Sequence, residues 1–325
     1  MTFIKDYQQY FLKYLVERTH PKDPKSLYNP ISYILKLGGK RLRPVLVMMI
    51  AEAFGSTKDK AVNAAMAVEV FHNFSLVHDD IMDEAPIRRG EATVHKKWNV
   101  NTGILSGDAM LIQSYQHLEK YEGKIFKELV QLFSQTAIEV CEGQQYDIDF
   151  ETRNDVSLPE YLKMIEYKTA VLVAAAMKMG AIVAETSEEN KTAIYDFGRF
   201  LGIAFQLQDD YLDTFGDPKH FGKQIGGDII ENKKTFLYLK ALENASLSDK
   251  KELSQLYTKE PVVDSNNKIK TVQDIFKKTE ADKDLKKEIK VYTEKAFKIL
   301  EKIPISSQKK QLLIDFGSNL MQREV

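Results

Sequence analysis

Apolar residues recur at three- and four-residue spacing through most of this 325-residue chain, while the period-two alternation of half-buried strands is almost absent. Such a pattern leaves room for helices packed on helices and little else, so an all-α fold is expected. The spacing predicts helices over 2–18, 28–37, 42–54, 58–83, 103–121, 124–145, 158–183, 188–215, 234–244, 249–257, 267–300 and 304–321. Pro44 suits the first turn of a helix, Gly55 and Gly180 suit C-terminal ends, and Pro159 stands in a first turn after Ser157. Several segments exceed about twenty residues, which favours a bundle around a deep cavity over small stacked repeats. No Gly/Ser linker, Pro-rich stretch or fixed repeat marks an internal boundary. One domain over 1–325 is therefore expected, although length alone, at about 150 residues per domain, would suggest two. The stretch 245–290 is rich in charge and poor in large apolar residues, and reads as solvated, peripheral helices.

Composition narrows the function classes. Lys plus Arg (46) nearly cancels Asp plus Glu (47), which removes the electrostatic case for a nucleic-acid binder and leaves phosphate recognition to local clusters. With a single cysteine, Cys141, no intrachain disulfide and no thiolate zinc site can form, so a reducing cytoplasm is the expected compartment. The apolar runs at 44–51 and 170–177 fall far short of the roughly 20 residues that span a bilayer, and residues 1–15 are amphipathic rather than leader-like.

Two acidic clusters carry the chemical information. Asp79, Asp80 and Asp83 lie in HDDIMDEAP, and Asp209, Asp210 and Asp213 lie in FQLQDDYLDTFGD with the same spacing. Carboxylates four apart share a helix face, repel each other and call for a cation. Oxygen-only ligands select a hard ion, and open clusters suit Mg²⁺, which is held by one or two carboxylates plus phosphate oxygens and water. A single DDxxD is by itself an ordinary solvated helix end. Two copies, each following a strongly apolar stretch, are hard to explain as decoration.

Basic residues stand where phosphates could be held. In LGGKRLRPVL, Lys40, Arg41 and Arg43 lie between a glycine pair and a helix start. Arg88 and Arg89 follow the first acidic cluster, and arginine offers a bidentate fork to phosphate; the plain alternative is a salt bridge to Glu84 or Glu91. Lys168, Thr169, Gln206, Lys223 and Lys233 are further polar candidates, each on its own an ordinary surface or capping residue. His72, two turns before Asp79, could point the same way, but a lone histidine on an apolar face is more often satisfied within a core.

Taken in order, GGKRLRP (38–44), FHNFSLVHDDIMD (71–83), RRG (88–90), GDAM (107–110), EGQ with Asp147, YKTA (167–170), FQLQDDYLD (205–213) and GKQIGGDI through KKT (222–235) resemble the trans-isoprenyl diphosphate synthase, or polyprenyl synthetase, family. The likeness covers roughly residues 30 to 240 and is loose beyond. It implies the isoprenoid synthase fold, a bundle of mostly antiparallel helices around a deep central cavity with the two aspartate motifs facing each other at its mouth. It implies that Asp79, Asp83 and Asp209 ligate Mg²⁺, about two or three ions per site, with Asp80, Asp210 and Asp213 supporting. By the same likeness Lys40, Arg43, His72 and Arg89 hold isopentenyl diphosphate, and Arg88, Lys168, Thr169, Gln206, Lys223 and Lys233 hold the allylic substrate. Thr169, Gln206 and the region of the Lys168 carbonyl are also placed to stabilise an allylic cation. A homodimer is the family norm. The terminal SNLMQREV gives no match to a basic lid, which puts closure by the tail in doubt.

The reaction so implied joins isopentenyl diphosphate to an allylic diphosphate (dimethylallyl, geranyl or farnesyl) and releases pyrophosphate, needing no protein nucleophile. Product length would be set by Ser75 and Phe74, four and five residues before Asp79 and about one turn below it. In the family, aromatic residues at both positions go with fifteen carbons and one at the deeper position fits twenty, so geranylgeranyl diphosphate is expected over farnesyl diphosphate or a longer chain. A class I terpene cyclase needs a second metal motif that NDVSLPE (154–160) does not match, and an HD-type phosphohydrolase needs more placed histidines than this chain offers. A non-catalytic prenyl-lipid-binding subunit would be expected to have lost one acidic cluster, and both are intact.

Overall fold

A computed structural model describes residues 2–19, 22–217, 225–257 and 264–321, excluding the side chains of residues 2 and 3. It is helical apart from one short hairpin. The helices are α1 (Thr2–Arg18), α2 (Lys25–Lys36), α3 (Leu42–Ala53), α4 (Lys58–Met82), α5 (Val94–Lys97), α6 (Val100–Leu118), α7 (Gly123–Thr152), α8 (Leu158–Ile165), α9 (Val171–Val183), α10 (Glu188–Phe215), α11 (Gly227–Ile230), α12 (Phe236–Asn244), α13 (Leu247–Leu256), α14 (Ser265–Lys278), α15 (Ala281–Lys302) and α16 (Ser307–Met321). Among the described residues no helix is long and apolar enough to cross a membrane. The chain groups into two compact units, residues 1–135 with 175–192, and residues 136–174 with 193–325.

In the first unit α4 packs most extensively against α6. Two glycines on α6 make that approach possible: a Cβ on Gly107 would lie 2.2 Å from His78 Nε2, and one on Gly103 would lie 2.8 Å from Ile81 Cδ1. Helix α3 is buried along almost its whole length and lies against α9, where a Cβ on Gly180 would come 2.3 Å from the Val47 carbonyl oxygen. Gly180 thus serves a helix contact and not a helix end, while Gly55, at φ 90°, does follow the end of α3.

The core of the second unit gathers Tyr161 from α8, Leu207 from α10, Phe236 and Leu237 from α12, and Val272 and Phe276 from α14. Leu253, Val272, Ile275, Phe276 and Leu285 all fall in the stretch 245–290, so that stretch supplies core as well as surface. Its helices are amphipathic, and an average over residues hides the one apolar stripe among many charges.

Three local departures from the sequence expectation have physical causes. The helix expected over 267–300 breaks at Glu280, which takes φ 59°, while the Thr279 hydroxyl turns back to the carbonyls of Ile275 (2.8 Å) and Phe276 (3.2 Å). Neither Gly nor Pro marks that break. The helix expected over 158–183 begins as expected with Pro159 in the first turn after Ser157, and a Ser157/Glu160 capping box outside the sequence expectation closes that end; Glu166–Ala170 then forms a π turn closed by Val171 N–H on the Glu166 carbonyl. Finally, β1 (Ile87–Arg88) pairs antiparallel with β2 (Glu91–Ala92) through a two-residue loop, Arg89–Gly90. Two-residue strands are too short to leave a periodic trace.

Candidate active site

The first acidic cluster closes α4. Asp80 is fully buried, and Arg88 on β1 donates from Nε to both of its carboxylate oxygens at 2.8 Å, with Nη2 2.7 Å from Oδ1. Burial pushes the Asp80 carboxyl above its ordinary range, against the pull of Arg88. Asp79 is half-buried and Asp83 exposed. One turn separates those two, so they share a face, while Asp80 lies on another and anchors the arginine.

Basic groups of the same unit divide by burial. Arg41 starts α3 in a left-handed conformation (φ 45°) and turns inward, donating to Glu69 and to the carbonyls of Leu35 (2.6 Å) and Leu37 (2.8 Å). It is a structural residue and not available to a ligand. Arg43 lies 3.2 Å from His72 Nε2, and Lys40 is exposed. Arg89 reaches across to the carbonyls of Leu37 and Gly38 and lies over Gly39, where a Cβ would stand 3.0 Å from its Cζ. That clearance, together with φ 136° at Gly39, explains the second glycine of the pair. Burial, then the positive charges of Arg43, Arg89, Arg88 and Arg41, push the His72 imidazole well below its ordinary range and keep it neutral. Of these four, Arg41 is taken up by Glu69 and Arg88 by Asp80, while Arg43 beside the neutral ring and Arg89 on the hairpin are groups suited to a polyanion.

Helix α10 carries the second cluster, and its middle member is again the buried one. Asp210 accepts from the Tyr161 hydroxyl and from Gln206 Nε2 (2.9 Å), while Asp209 and Asp213 are half-buried. Burial, opposed by those two donors and reinforced by Asp209 and Asp213, pushes Asp210 up to about 7. Asp213 accepts from the Asp228 N–H at 3.0 Å, and Gly226, at φ 79°, donates to the Asp213 carbonyl at 2.7 Å. Asp228 itself is pushed well above its ordinary range by burial, then by Asp210 and Asp213. Thr169 donates to Gln206 Oε1 at 2.9 Å, and Lys168 pairs with Asp147 on α7 at 2.6 Å. Burial would raise the Asp147 carboxyl, but Lys168 and Lys233 outweigh it and hold it below its ordinary range. Lys233 is kept firmly protonated because Asp147, Asp228 and Glu231 more than offset its own burial. Lys223 lies outside the described residues.

Asp228 and Tyr161 escape a reading by sequence spacing because each meets the cluster from another element. Asp147, quoted above only for the resemblance, owes its place to the pairing with Lys168. The one-dimensional signal was the GGD turn for Asp228; Tyr161 had none. Gln144, three residues before Asp147 on α7, buries both atoms of its amide without a hydrogen-bond partner. Unlike these, Phe74 was singled out by spacing. It is buried on α4 with its ring 5.4 Å from Phe71 and 4.8 Å from His78, and Ser75 donates to the His72 carbonyl at 2.9 Å.

The donor set fits Mg²⁺ on two grounds. Both clusters are all-oxygen, and in the second burial, reinforced by the neighbouring carboxylates, raises the proton affinity of Asp210 and Asp228, which a bound cation would oppose. Among the described residues no three His, Cys, Asp or Glu side chains form a protein-only cage.

Comparison with known proteins identifies the family. Residues 24–277 match the polyprenyl synthetase family model. The chain is 44% identical over 222 residues to a geranylgeranyl diphosphate synthase of Methanosarcina mazei, covering 68% of each chain. It is 39% identical over 254 residues to a short chain isoprenyl diphosphate synthase of Methanothermobacter thermautotrophicus, covering 78% of each. A crystal structure of a geranylgeranyl pyrophosphate synthase superposes with a TM-score of 0.95 at 52% identity, covering 99% of both chains. Motifs, fold and relatives together make this chain a prenyltransferase that belongs to the polyprenyl synthetase family.

Proposed function

We propose that the protein is a Mg²⁺-dependent short-chain synthase that condenses isopentenyl diphosphate with dimethylallyl, geranyl and farnesyl diphosphates in turn, giving geranylgeranyl diphosphate. The observation that carries this reading is the shared build of the two acidic clusters, each with its middle aspartate buried on a donor (Asp80 on Arg88, Asp210 on Tyr161). Such anchoring fixes the flanking carboxylates, so Asp79, Asp83 and Asp209 are assigned as Mg²⁺ ligands and Asp213 as their support. Bound Mg²⁺ would neutralise the charge that develops on the departing diphosphate.

The chain's own residues divide the remaining work. Arg43, Arg89, Lys40 and neutral His72 hold the isopentenyl diphosphate, and Arg88, Lys168, Thr169, Gln206, Lys223 and Lys233 hold the allylic one. Lys168 is held in place there by its ion pair with Asp147, and Lys233 remains cationic through the carboxylates beside it. The hydroxyl of Thr169 and the amide of Gln206 are fixed dipoles for a developing allylic cation. Phe74 is the floor for the growing chain, and Ser75 leaves space above it.

A homodimer is proposed from α6, where Leu105 and Ile112, seven residues apart on one face, are each 60% exposed and Ile104 is 41% exposed. The single Cys141, exposed and unpaired, fits a reducing cytoplasm. Incubation with Mg²⁺, labelled isopentenyl diphosphate and each allylic primer tests the assignment. Twenty-carbon product formed only when both substrates and the metal are present supports it. Diphosphate release from a prenyl substrate alone, or product formation unaffected by chelator, would reject it.

A further inference from the structure

Two glycines lie against the π turn from different helices. On α7, a Cβ at Gly143 would fall 2.2 Å from the Lys168 N and 2.7 Å from its Cα. On α10, a Cβ at Gly202 would fall 2.7 Å from the Ala170 Cα and 2.9 Å from its Cβ. Neither glycine has a positive φ, so close approach and not backbone freedom is what requires them.

One turn beyond each glycine, on the same face of its helix, stands a polar side chain that holds the π turn. Four residues after Gly143, Asp147 takes Lys168 at 2.6 Å; four after Gly202, Gln206 takes Thr169 at 2.9 Å. Arg199, three residues before Gly202, reaches Glu166 at the start of the same turn at 3.3 Å. The arrangement repeats: a glycine brings the backbones together, and the polar side chain one turn on orients the group so delivered.

We propose that Gly143 and Gly202 are positioning residues for the prenyl transfer, forming a clasp that seats the π turn and thereby sets Lys168 and Thr169 against the allylic substrate. The proposal rests on the function argued above. A π turn adds a residue to a helical turn and weakens the hydrogen bonding that would otherwise hold that turn in register. External packing must then fix it, and the clasp does so at both reactive side chains.

Gly143→Ala requires the Lys168 backbone to retreat by about 1 Å to reach ordinary contact, a displacement that can cost on the order of 10²-fold in rate when it occurs at a reacting centre. Gly202→Ala requires less, and about a tenfold loss is expected. Gly180→Ala is the control: its Cβ would meet the Val47 carbonyl oxygen at 2.3 Å, an equally tight site that touches no substrate-holding residue. Kinetics per folded enzyme, measured below each melting temperature, should show kcat falling in Gly143→Ala and Gly202→Ala but unchanged in Gly180→Ala. The isopentenyl KM should be unaffected in all three. Amide exchange of residues 166–171 should accelerate in the first two alone. If Gly143→Ala does not fold, Asp147→Asn, which leaves the backbones untouched, should still raise the allylic KM about tenfold or more. Wild-type kcat in the folded clasp variants, unchanged exchange at the π turn, or an unchanged allylic KM in Asp147→Asn would each overturn the clasp. Failure of the wild-type enzyme to turn over would instead overturn the prenyltransfer reading, and the exchange measurement would still decide on the clasp.

Discussion

Replacing Glu69 by Gln removes one charge from a pair that has almost no contact with water. The Arg41 and Glu69 side chains are 3% and 2% exposed, so solvent screening offers little relief once the partner is gone. Glu69 Oε1 also accepts from Asn73 Nδ2 at 2.9 Å, so a glutamine oxygen would have to accept the same two donors without the carboxylate's charge to hold the guanidinium. Breaking a buried pair of this kind typically costs about 3–5 kcal/mol, and at about 2–4 °C per kcal/mol the melting temperature should fall by about 10 °C. Arg41→Met with Glu69→Leu should recover only part of that loss, since the carbonyls of Leu35 and Leu37 would then lose their donor. Arg41 also sets the turn between Lys40 and Arg43, so Glu69→Gln should raise the isopentenyl KM and leave the allylic KM alone. Calorimetric melting alongside initial-rate kinetics reads both effects. A fall of less than about 3 °C, or an equal rise in both KM values, would refute the view that this buried pair holds the basic turn.

Further outcomes follow from other parts of the site. Phe74→Ala should give products longer than twenty carbons and Ser75→Phe should shorten them to fifteen; mass analysis showing the wild-type length in both would remove these residues from the floor. The Asp210 carboxyl, raised to about 7, stabilises the metal-free fold in its protonated form. That contribution is complete below the unfolded carboxylate value near 3.9 and is lost as pH rises through about 7, so metal-free melting temperatures should decline over that window. Mg²⁺ needs the carboxylate form, and the melting shift that it produces should grow from about pH 6 to pH 8; a shift flat across that range would contradict the assignment. Ile112→Glu on α6 should convert a dimer to monomer in sedimentation or light scattering, and an unaltered mass would move the interface elsewhere.

What the sequence disclosed and what it hid differ in kind. Helical periodicity, Pro159 in a first turn after Ser157 and two acidic clusters are local signals, and the first two are found in the structure where spacing put them. Contacts made between elements leave no such trace. Asp80 and Asp83 look alike in HDDIMDEAP, yet one is sealed beneath Arg88 and the other is exposed. Arg41 and Arg43 stand two residues apart in one basic run, and only Arg41 turns inward to Glu69. The π turn within 158–183 was invisible because nothing in EYKTA breaks a helix; what lies closest against it is on α7 and α10, at Gly143 and Gly202. In the same way the break at Glu280 depends on side-chain back-bonding by Thr279 and not on a residue type that ends helices.

The hairpin loop gives Arg89 a role at odds with its conformational preference. Arg89 (φ 54°) and Gly90 (φ 81°) both occupy the left-handed half of the backbone map, as a primed two-residue turn demands. Asparagine or glycine would rest there comfortably, whereas a long L-side chain costs about 1–2 kcal/mol. Arg89→Gly should therefore yield a sturdier loop and a poorer enzyme, so that selection for heat resistance alone would tend to erase this arginine. On the function proposed above, its presence marks a position where affinity for a diphosphate outweighs the comfort of the main chain.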